Sequence, residues 1–309
     1  MKKFAIAIHG GAGTILKKNM TPELEEAYHN KLKESLVAGF DILKKGGTSL
    51  DAVEIAIQIL EDSPLFNAGK GSVFNALGEH EMDAGIMDGK SLKAGAVAGL
   101  KTVRNPISAA RLVMEKTSHV LMVGEGAEHL AKEHFLNCEQ PQYFFEQHRW
   151  EQWQKIKGTS EQALDHSNFN DKKYGTVGAV AIDVHGNLCA GSSTGGLTNK
   201  RPGRVGDSPV IGAGTYANNK TCAVAGTGEG EYFMRNVIAY DVSALMEYKG
   251  LSLEQATEEV IMHKLVALGG KGGLIAVDDQ ANISLVFNTR GMYRGAVTQD
   301  GIFKTDIYK

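Results

Sequence analysis

Two threonines lie at the ends of a segment whose residue pattern predicts a β-hairpin. Residues 175–183 (GTVGAVAID) are mostly small or β-branched, which favours a buried strand, and residues 183–187 (DVHGN) favour a tight turn. The chain returns through residues 188–194, so strand pairing would place Thr176 and Thr194 side by side near the open end of the hairpin. Two neighbouring hydroxyls in such a place are candidates for nucleophilic chemistry.

The segment before Thr176 is polar and predicts a solvated linker. Residues 157–174 are rich in Gly, Ser, Asn and Asp and have no sustained apolar period. The commoner interpretation of this junction is a surface loop that enters a core strand. The alternative is cleavage of the Gly175–Thr176 bond, which would give Thr176 both a hydroxyl nucleophile and its own α-amine as base. The residues alone leave both interpretations open.

The chemistry of the alternative depends on the released amine of Thr176. A free α-amine has a pKa of roughly 7.7 to 8 and can accept a proton near neutral pH, whereas a peptide nitrogen cannot. Cleavage before Thr176 would therefore also activate the protein. Gly175 suits such a step because glycine tolerates the strained backbone that an attack on its carbonyl requires.

Arg204 and Asp207 lie in the segment RPGRVGDSP, which contains too many helix and strand breakers to form a regular element. An arginine can bind a carboxylate through two N–H groups, and an aspartate can accept a hydrogen bond from an ammonium group. Together they match the zwitterionic end of an amino acid. The competing interpretation is two unrelated surface charges.

Residues 226–228 (GTG) follow an apolar strand and precede a helix, which predicts a turn that directs backbone N–H groups toward an anion. A phosphate-binding loop is the rival interpretation. It is disfavoured because GTGEGE lacks the Lys-Ser/Thr ending and places Glu229 and Glu231 where phosphate would sit.

Nearly the whole chain resembles the isoaspartyl peptidase and plant-type L-asparaginase family of N-terminal nucleophile hydrolases. The resemblance is carried by GTVGAVAID (175–183), by STGGLTNKRPGRVGDSPVIGAGTYA (193–217) and by GTGEGEYFMR (226–235). The other matching motifs, in the family's order, are AIHGGAG (7–13), PLFNAGKGSVFN (64–75), MDAGIMDG (82–89), AGAVAGL (94–100), RNPISAARLVME (104–115) and FNTRGMYRG (287–295).

The resemblance implies an activity and assigns roles to the residues introduced above. It implies a self-processing amidohydrolase that cleaves the side-chain amide of L-asparagine and the isopeptide bond of β-aspartyl dipeptides. It implies that the chain cuts itself at Gly175–Thr176. The implied roles are a nucleophile (Thr176), a hydroxyl that tunes it (Thr194), oxyanion donors that also contact substrate (Thr227 and Gly228), and a clamp for the α-carboxylate and α-amino groups (Arg204 and Asp207).

The resemblance further implies a structural Na⁺ ion in the loop that follows the second predicted helix, and no cofactor for catalysis. Main-chain oxygens suit a hard cation. The implied ligands are the main-chain carbonyls of Leu60, Glu61, Ser63, Phe66, Ala68 and Lys70. Asn67 in the same loop is expected to support the catalytic residues from behind, as is His9 in the HGG segment, which we expect to be supporting and not catalytic.

The pattern of elements predicts two sheets packed face to face with helices outside. The resemblance implies the α+β fold of its family, a four-layer αββα sandwich with residues 1–309 as one domain. After cleavage, residues 1–175 would form an α subunit, with about 157–175 as linker, and residues 176–309 a β subunit. The family's assembly would be a homodimer of such units, (αβ)2.

Hydrophobic periodicity, caps and breakers predict the individual elements. Asp83 and Asp88, which lie near turn glycines, are expected to have structural turn roles. Helices are predicted at 22–45, 50–62, 106–116, 124–135, 142–156, 231–248 and 253–268, and strands at 4–9, 177–184, 188–193, 220–226, 274–277 and 283–287, with two or three more within 72–100.

Composition limits the classes of partner. Among 309 residues the net charge is −3 and no basic tract occurs, so neither nucleic acid nor an anionic membrane is an expected partner, which leaves small molecules and dipeptides. No apolar run approaches the length of a membrane span. The three cysteines have unrelated spacings and predict neither disulfides nor a zinc site. The short apolar start at 4–8 is not a signal sequence, so a cytoplasmic protein is expected.

Two other functions compete with this interpretation. A glycosylasparaginase-like amidase shares the fold and the nucleophile, but such proteins are usually secreted or lysosomal and have disulfides. From a different class, the chain could be an unprocessed homologue that binds amino acids without catalysis, because fold does not guarantee activity.

Overall fold

A computed structural model describes residues 3–159 and 175–309 of the chain. The predicted linker at 157–174 lies, apart from its first three residues, outside the described part. None of the helices in the described ranges combines the length and the apolar character needed to cross a bilayer.

The helices begin where the sequence supplies caps. Thr21 accepts a hydrogen bond from the Leu24 N–H at the start of α1, and Thr48 does the same for Asp51 at the start of α2. Ser252 and Gln255 form a reciprocal capping box. The helices are α1 (Pro22–Lys44), α2 (Ser49–Glu61), α3 (Pro106–Lys116), α4 (Gly124–Glu133), α5 (Pro141–Phe144), α6 (Gln147–Ile156), α7 (Gly230–Asn236), α8 (Ile238–Lys249), α9 (Leu253–Glu258), a π-helical turn (Glu259–Lys264) and α10 (Leu265–Ala267), with short 3₁₀ turns at Lys17–Asn19 and Gly69–Gly71.

Within the described ranges the strands form one sheet of eight and one of four. The strands are β1 (Ala5–Gly13), β2 (Met82–Asp88), β3 (Ala94–Leu100), β4 (Leu121–Val123), β5 (Thr176–Ile182), β6 (Leu188–Thr194), β7 (Thr215–Ala217), β8 (Cys222–Gly228), β9 (Gly272–Asp278), β10 (Ile283–Phe287), β11 (Gly291–Thr298) and β12 (Lys304–Tyr308). The larger sheet has the order β12-β11-β1-β5-β6-β2-β3-β4 and the smaller β10-β9-β8-β7.

The hairpin of β5 and β6 has the register that the sequence predicts. Thr176 is the direct partner of Thr194, and the pairing continues to Ile182 opposite Leu188. Gly186 adopts a left-handed conformation (φ 81°) in the connecting turn, which glycine does without strain.

Three groups of buried apolar side chains hold the elements together, and alternation along the strands assigns side chains to them. In β1, Ile6 and Ile8 join a group with the apolar faces of α1, α2 and α3. Ala5 and Ala7, which point the other way, join a group with β8 and β9 of the smaller sheet. A third group joins the far face of the smaller sheet to α7, α8 and α9. The fold is thus mixed α/β, with two sheets and helices.

Several predicted boundaries were wrong. Strand β1 does not end at Gly10-Gly11; it continues to Gly13 through a shift in register between His9 and Ala12. The helix predicted at 142–156 is broken into α5 and α6, and the one at 231–248 is interrupted at Val237, which has a left-handed backbone (φ 51°). Strands β4, β7, β11 and β12 were not predicted.

Candidate active site

Thr176 is the first residue of β5, a strand held between β1 and β6. It is 7% exposed. Its hydroxyl donates to Oγ1 of Thr194 at 3.3 Å, and the Thr194 hydroxyl donates to the carbonyl oxygen of Gly175 at 3.2 Å. The N–H of Gly196 donates to the same Thr194 oxygen at 3.0 Å. The Thr194 hydroxyl therefore connects the Thr176 hydroxyl with the carbonyl of the peptide bond before it.

His9 contacts the backbone of the same residue. Its Nδ1 lies 3.0 Å from the Thr176 carbonyl oxygen, which can only accept a hydrogen bond, so Nδ1 carries the proton of the neutral ring. Burial lowers the pKa of His9 to about 3, although the hydrogen bond to that carbonyl raises it. Nε2 has no hydrogen-bonding partner among the described residues. His9 therefore orients the start of β5. Its hydrogen bond goes to the backbone carbonyl of Thr176 and not to the hydroxyl, so it is not positioned as a base for that hydroxyl.

The ring of His9 packs where β5 has no side chain. Gly178 is its partner in the register between β1 and β5, and a Cβ on Gly178 would lie 2.3 Å from His9 Nε2 and 3.0 Å from the Ala225 Cβ in the other sheet. Glycine is therefore required here for close approach of both sheets around the ring.

Arg204 and Asp207 approach Thr176 through the loop before β7. The Arg204 side chain donates from Nε and Nη2 to one carboxylate oxygen of Glu231, at 3.0 and 2.9 Å. Asp207 is 4% exposed and its Oδ2 has no hydrogen-bonding partner in the described ranges. Burial raises the pKa of Asp207 to about 7, against a lowering by the Arg204 charge. The loop thus presents a cation and a titratable carboxyl.

These residues share one small cavity. Its volume is about 10 Å³, which is room for about one water molecule. The lining residues are Gly175, Thr176, Thr194, Gly196, Leu197, Arg204, Gly206, Asp207, Ser208 and Gly228. The structure therefore brings together the predicted cleavage site, both hydroxyls, the predicted amino-acid clamp and one predicted oxyanion donor.

Thr227 and Gly228 lie at the end of strand β8 and not in a turn, which corrects the sequence-based expectation. They pair with Gly273 and Gly272 of β9, and helix α7 begins two residues after Gly228. Thr227 is fully buried, and its hydroxyl oxygen accepts a hydrogen bond from the Ala12 N–H at 3.3 Å. Gly228 lines the cavity, whereas Thr227 is not among its lining residues.

Asn67 connects the loop after α2 to the cavity. Its Nδ2 donates to the Gly196 carbonyl at 2.7 Å, and its own carbonyl accepts from the Gly195 N–H at 3.0 Å. Its Oδ1 accepts from the Val73 N–H at 3.0 Å. Asn67 therefore bonds the backbone that follows Thr194 and does not itself line the cavity.

Several carbonyl oxygens in the loop of Asn67 lie close to two of its glycines. A Cβ on Gly71 would lie 2.0 Å from the Phe66 oxygen and 3.0 Å from the Ser63 oxygen, and a Cβ on Gly69 would lie 2.4 Å from the Glu61 oxygen. These three carbonyls belong to the predicted Na⁺ ligand set, and hard cations prefer such oxygens. No group of three or more His, Cys, Asp or Glu side chains suited to a metal ion occurs within the described residues.

Asp83 is not a turn residue, so that prediction was wrong, whereas Asp88 is one. Asp83 is fully buried in β2, directly opposite Thr194 of β6. Asp88 ends the strand, and its carboxylate accepts from the N–H groups of Lys90 and Ser91. The glycines near Asp83 suggested a turn, but Gly85 lies within the strand, where its bare Cα faces the backbone of Ser208.

Sequence reasoning missed two contacts of this site. The resemblance implied that the HGG segment of His9 lies near the site, but nothing in the sequence indicated a hydrogen bond to Thr176, 167 residues away. Glu231 was considered only as an argument against phosphate, and its ion pair with Arg204 was not expected. Opposite charges 27 residues apart carry no signal of contact by themselves.

Comparisons with known proteins agree with one another. A family model described as asparaginase matches residues 2–307. The chain is 55% identical over 312 residues to isoaspartyl peptidase of Salmonella typhimurium, covering 100% of both chains. It is 52% identical over 312 residues to isoaspartyl peptidase of Escherichia coli, covering 100% of this chain and 97% of that protein. It is 44% identical over 301 residues to plant-type L-asparaginase of Pyrococcus abyssi, covering 93% and 94%.

Proposed function

The chain belongs to the asparaginase family, and we propose that it is a hydrolase of β-aspartyl dipeptides and L-asparagine that first cuts itself before Thr176. The observation that carries the proposal is the hydrogen-bonded series from the Thr176 hydroxyl through Thr194 to the Gly175 carbonyl, in one cavity with Arg204 and Asp207. A nucleophile, a carbonyl to attack and a clamp for an amino acid occupy the same place.

Self-cleavage would be an attack of the Thr176 Oγ1 on the Gly175 carbonyl carbon. The C–N bond breaks as the C–O bond forms, so the acyl group of Gly175 moves to oxygen and the Thr176 nitrogen takes up a proton to become a free amine. Water then opens the ester, giving a Gly175 carboxylate and an N-terminal Thr176. The Thr194 hydroxyl, which donates to the Gly175 oxygen, would stabilise the negative charge that develops there.

The same nucleophile would then act on substrate. The α-amine of Thr176 takes the hydroxyl proton, the oxygen attacks the side-chain carbonyl of the aspartyl group, and ammonia or an amino acid leaves with a proton. Water hydrolyses the resulting ester and releases aspartate. Gly228, which lines the cavity, supports a role for its N–H as an oxyanion donor, and the buried Thr227 hydroxyl would join it.

Substrate selection would follow from the two charged residues. The Arg204 guanidinium, now paired with the half-exposed Glu231, would bind the α-carboxylate, and the Asp207 carboxylate would accept from the α-ammonium. Because both α-groups are then occupied, the bond that reaches Thr176 is the one on the side-chain carbonyl. The uncut chain leaves about 10 Å³ beside Thr176, so removal of Gly175 would also make room for substrate.

We propose the family's architecture and assembly on the same basis. The three groups of buried apolar side chains support a four-layer αββα sandwich that forms one domain over residues 1–309. The assembly would be a homodimer of two-part units, (αβ)2, acting on small molecules and dipeptides. The free state of Cys138, Cys189 and Cys222 supports a reducing, cytoplasmic environment.

We also propose a structural Na⁺ ion in the loop after α2, supported by the carbonyl oxygens of Glu61, Ser63 and Phe66, which lie close to Gly69 and Gly71. When bound, it would supply positive charge to carbonyl dipoles that otherwise repel one another. Thermal unfolding of Thr176→Ala protein in NaCl should occur at a higher temperature than in choline chloride of equal ionic strength. Equal unfolding temperatures in the two salts would contradict the site.

The test of the function is intact-mass spectrometry of the purified protein after incubation, beside Thr176→Ala. We expect fragments that end at Gly175 and start at Thr176 for the unmodified protein, and a single uncut chain for the variant. Only the sample that contains the two fragments should release leucine from β-Asp-Leu and ammonia from L-asparagine. A single uncut, inactive chain would instead favour a protein that binds amino acids, and activity confined to glycosylated asparagine would favour the glycosylasparaginase alternative.

A further inference from the structure

We propose that Lys200 is a positioning residue for Thr194: its buried ammonium group supports Gly196, whose N–H donates to the Thr194 hydroxyl oxygen. The inference rests on the proposed function, because it concerns the efficiency of the Thr176 nucleophile. Nothing in the sequence motifs alone distinguishes this lysine from the neighbouring charges of its loop.

Lys200 is a fully buried lysine, which is unusual for a charged side chain. Its Nζ donates to the Glu81 carbonyl at 2.7 Å and lies 3.9 Å from Asp83 Oδ2. Burying two opposite charges costs several kcal/mol per ion before their attraction is counted, so such a pair contributes little net stability compared with apolar residues of similar volume. A pair of this kind next to a candidate active site is therefore better explained by function than by stability.

Lys200 would influence Thr194 through its contact with Gly196. Gly196 has a left-handed backbone (φ 81°), and a Cβ there would lie 2.8 Å from Lys200 Nζ and 2.9 Å from its Cδ. The lysine thus occupies the space beside a bare Cα, and the Gly196 N–H points to Thr194 Oγ1 at 3.0 Å. Asn67 holds the carbonyl of the same glycine from another direction. Asn67 therefore bonds the backbone around Gly196, and Lys200 packs beside its Cα.

Asp83 completes the arrangement from the neighbouring strand. It lies opposite Thr194 in the register, and its Oδ1 accepts from the Gly99 N–H at 2.9 Å. Its Oδ2 has no hydrogen-bonding partner within residues 3–159 and 175–309, so Lys200 is the charge that faces it. Burial raises the pKa of Asp83 while the Lys200 charge lowers it, and burial lowers the pKa of Lys200 while Asp83 and Glu81 raise it.

Lys200 does not line the cavity of Thr176, so it does not contact the substrate groups that Arg204 and Asp207 would bind. Its loss should therefore change the chemical steps and leave substrate affinity nearly unchanged. A merely structural role would change stability without separating kcat from KM.

The experiment compares Lys200→Met with the double variant Asp83→Asn/Lys200→Met. The single variant leaves Asp83 buried without its counter-charge and is expected to be strongly destabilised or unfolded. The double variant leaves no unpaired charge and should fold, with an unfolding temperature near that of the parent. We nevertheless expect self-cleavage and kcat, measured per cut chain, to fall about 10-fold or more, with KM within about 3-fold.

The matched control is the half-exposed pair Lys264 and Asp241, which lies on the helices behind the smaller sheet. Asp241→Asn/Lys264→Met should keep kcat and cleavage rate. Parental kcat in the folded Asp83→Asn/Lys200→Met variant would overturn the inference, as would a loss confined to KM or a double variant that does not fold. If the unmodified protein neither cuts itself nor hydrolyses β-Asp-Leu or L-asparagine, the proposed function is rejected. Failure of the proposed function is thus distinguished from failure of the inference about Lys200.

Discussion

At the scale of single residues, the Thr194 hydroxyl of the uncut chain donates its single proton to the Gly175 carbonyl oxygen. Its oxygen is then left to accept hydrogen bonds from Thr176 and from the Gly196 N–H. Before cleavage, Thr194 would therefore act on the carbonyl that is attacked. Cleavage would turn that carbonyl into a free carboxylate, and once this carboxylate leaves the cavity the Thr194 hydroxyl would interact with the nucleophile alone.

Replacing Thr194 by valine should slow self-cleavage by about 10²-fold, the usual effect of removing one donor to a developing oxyanion. Valine keeps the shape of threonine without the hydroxyl, so the strand should be undisturbed. Thr194→Ser restores the hydroxyl and should cleave within about tenfold of the parent rate. A time course of intact mass after rapid purification measures both rates. Equal rates for valine and serine would show that the hydroxyl has no role in cleavage.

Asp207 should make stability depend on pH in the uncut chain. Its pKa is raised from 3.8 to about 7 by burial, so the folded chain binds its proton more tightly than the unfolded chain does. Between about pH 4 and pH 7 unfolding releases that proton, and the free energy of unfolding falls as the pH rises. At about 1.36 kcal/mol per pKa unit the fall is at most about 4 kcal/mol.

The measurement is urea unfolding of Thr176→Ala and of Thr176→Ala/Asp207→Asn at pH 5 and at pH 8. The asparagine variant should lose less stability between these pH values, because it has no proton to release. Parallel losses in the two proteins would assign the pH dependence to other groups.

At the scale of elements, the close approach of β1, β5 and the smaller sheet depends on Gly178. A Cβ there would overlap the His9 ring and press on Ala225, so Gly178→Ala should destabilise the protein by about 1–3 kcal/mol. Gly126 in α4 is the matched control. Nothing lies within 4 Å of a Cβ at that position, so Gly126→Ala should stabilise by up to about 1 kcal/mol. Urea unfolding in the Thr176→Ala background measures both, and two changes of the same sign would contradict the packing argument.

Elements with local signals could be predicted, and those formed by distant contacts could not. Helix starts could be predicted because a cap, such as those made by Thr21, Thr48 and Ser252, involves residues three positions apart. Strand β11 was missed because its partner β1 lies more than 270 residues earlier. The interruption at Val237 occurs at a β-branched residue with positive φ, which no sequence rule anticipates.

Only part of the candidate site could be predicted from the sequence. Pairing of Thr176 with Thr194 followed from a hairpin, which is a local structure. The grouping of these residues with Arg204 and Asp207 was expected from resemblance, since no spacing rule places that loop beside the hairpin. The ion pair of Arg204 with Glu231 and the burial of Lys200 depend on side-chain packing in three dimensions. Physical reasoning on the sequence alone could not reach them.

At the scale of the whole molecule, the two parts on either side of Gly175 alternate within one sheet. Strands β5 and β6 of the second part lie between β1 and β2 of the first, and β11 of the second part lies on the other side of β1. The two parts therefore share backbone hydrogen bonds along three strand pairings. Neither part contains a complete version of the larger sheet.

After cleavage, residues 1–175 and 176–309 should remain one particle. Size-exclusion chromatography without denaturant should give a single peak that contains both fragments, and separation should require concentrations of urea that unfold the sheet. Recovery of a free, folded 1–175 fragment under native conditions would contradict the shared sheet.

By the proposed mechanism, the alternating sheet would also make self-cleavage a measure of correct folding. The hydroxyl of Thr176 meets Thr194 only when β5 and β6 pair, and the environment of both requires β1 and β2, which come from the opposite end of the chain. A chain that has not assembled this sheet would have no means to cut itself by the proposed route. On a denaturing gel, the amount of the two fragments relative to the full-length band would then measure the fraction of correctly folded molecules. Folding yield could be screened in this way across variants without any substrate.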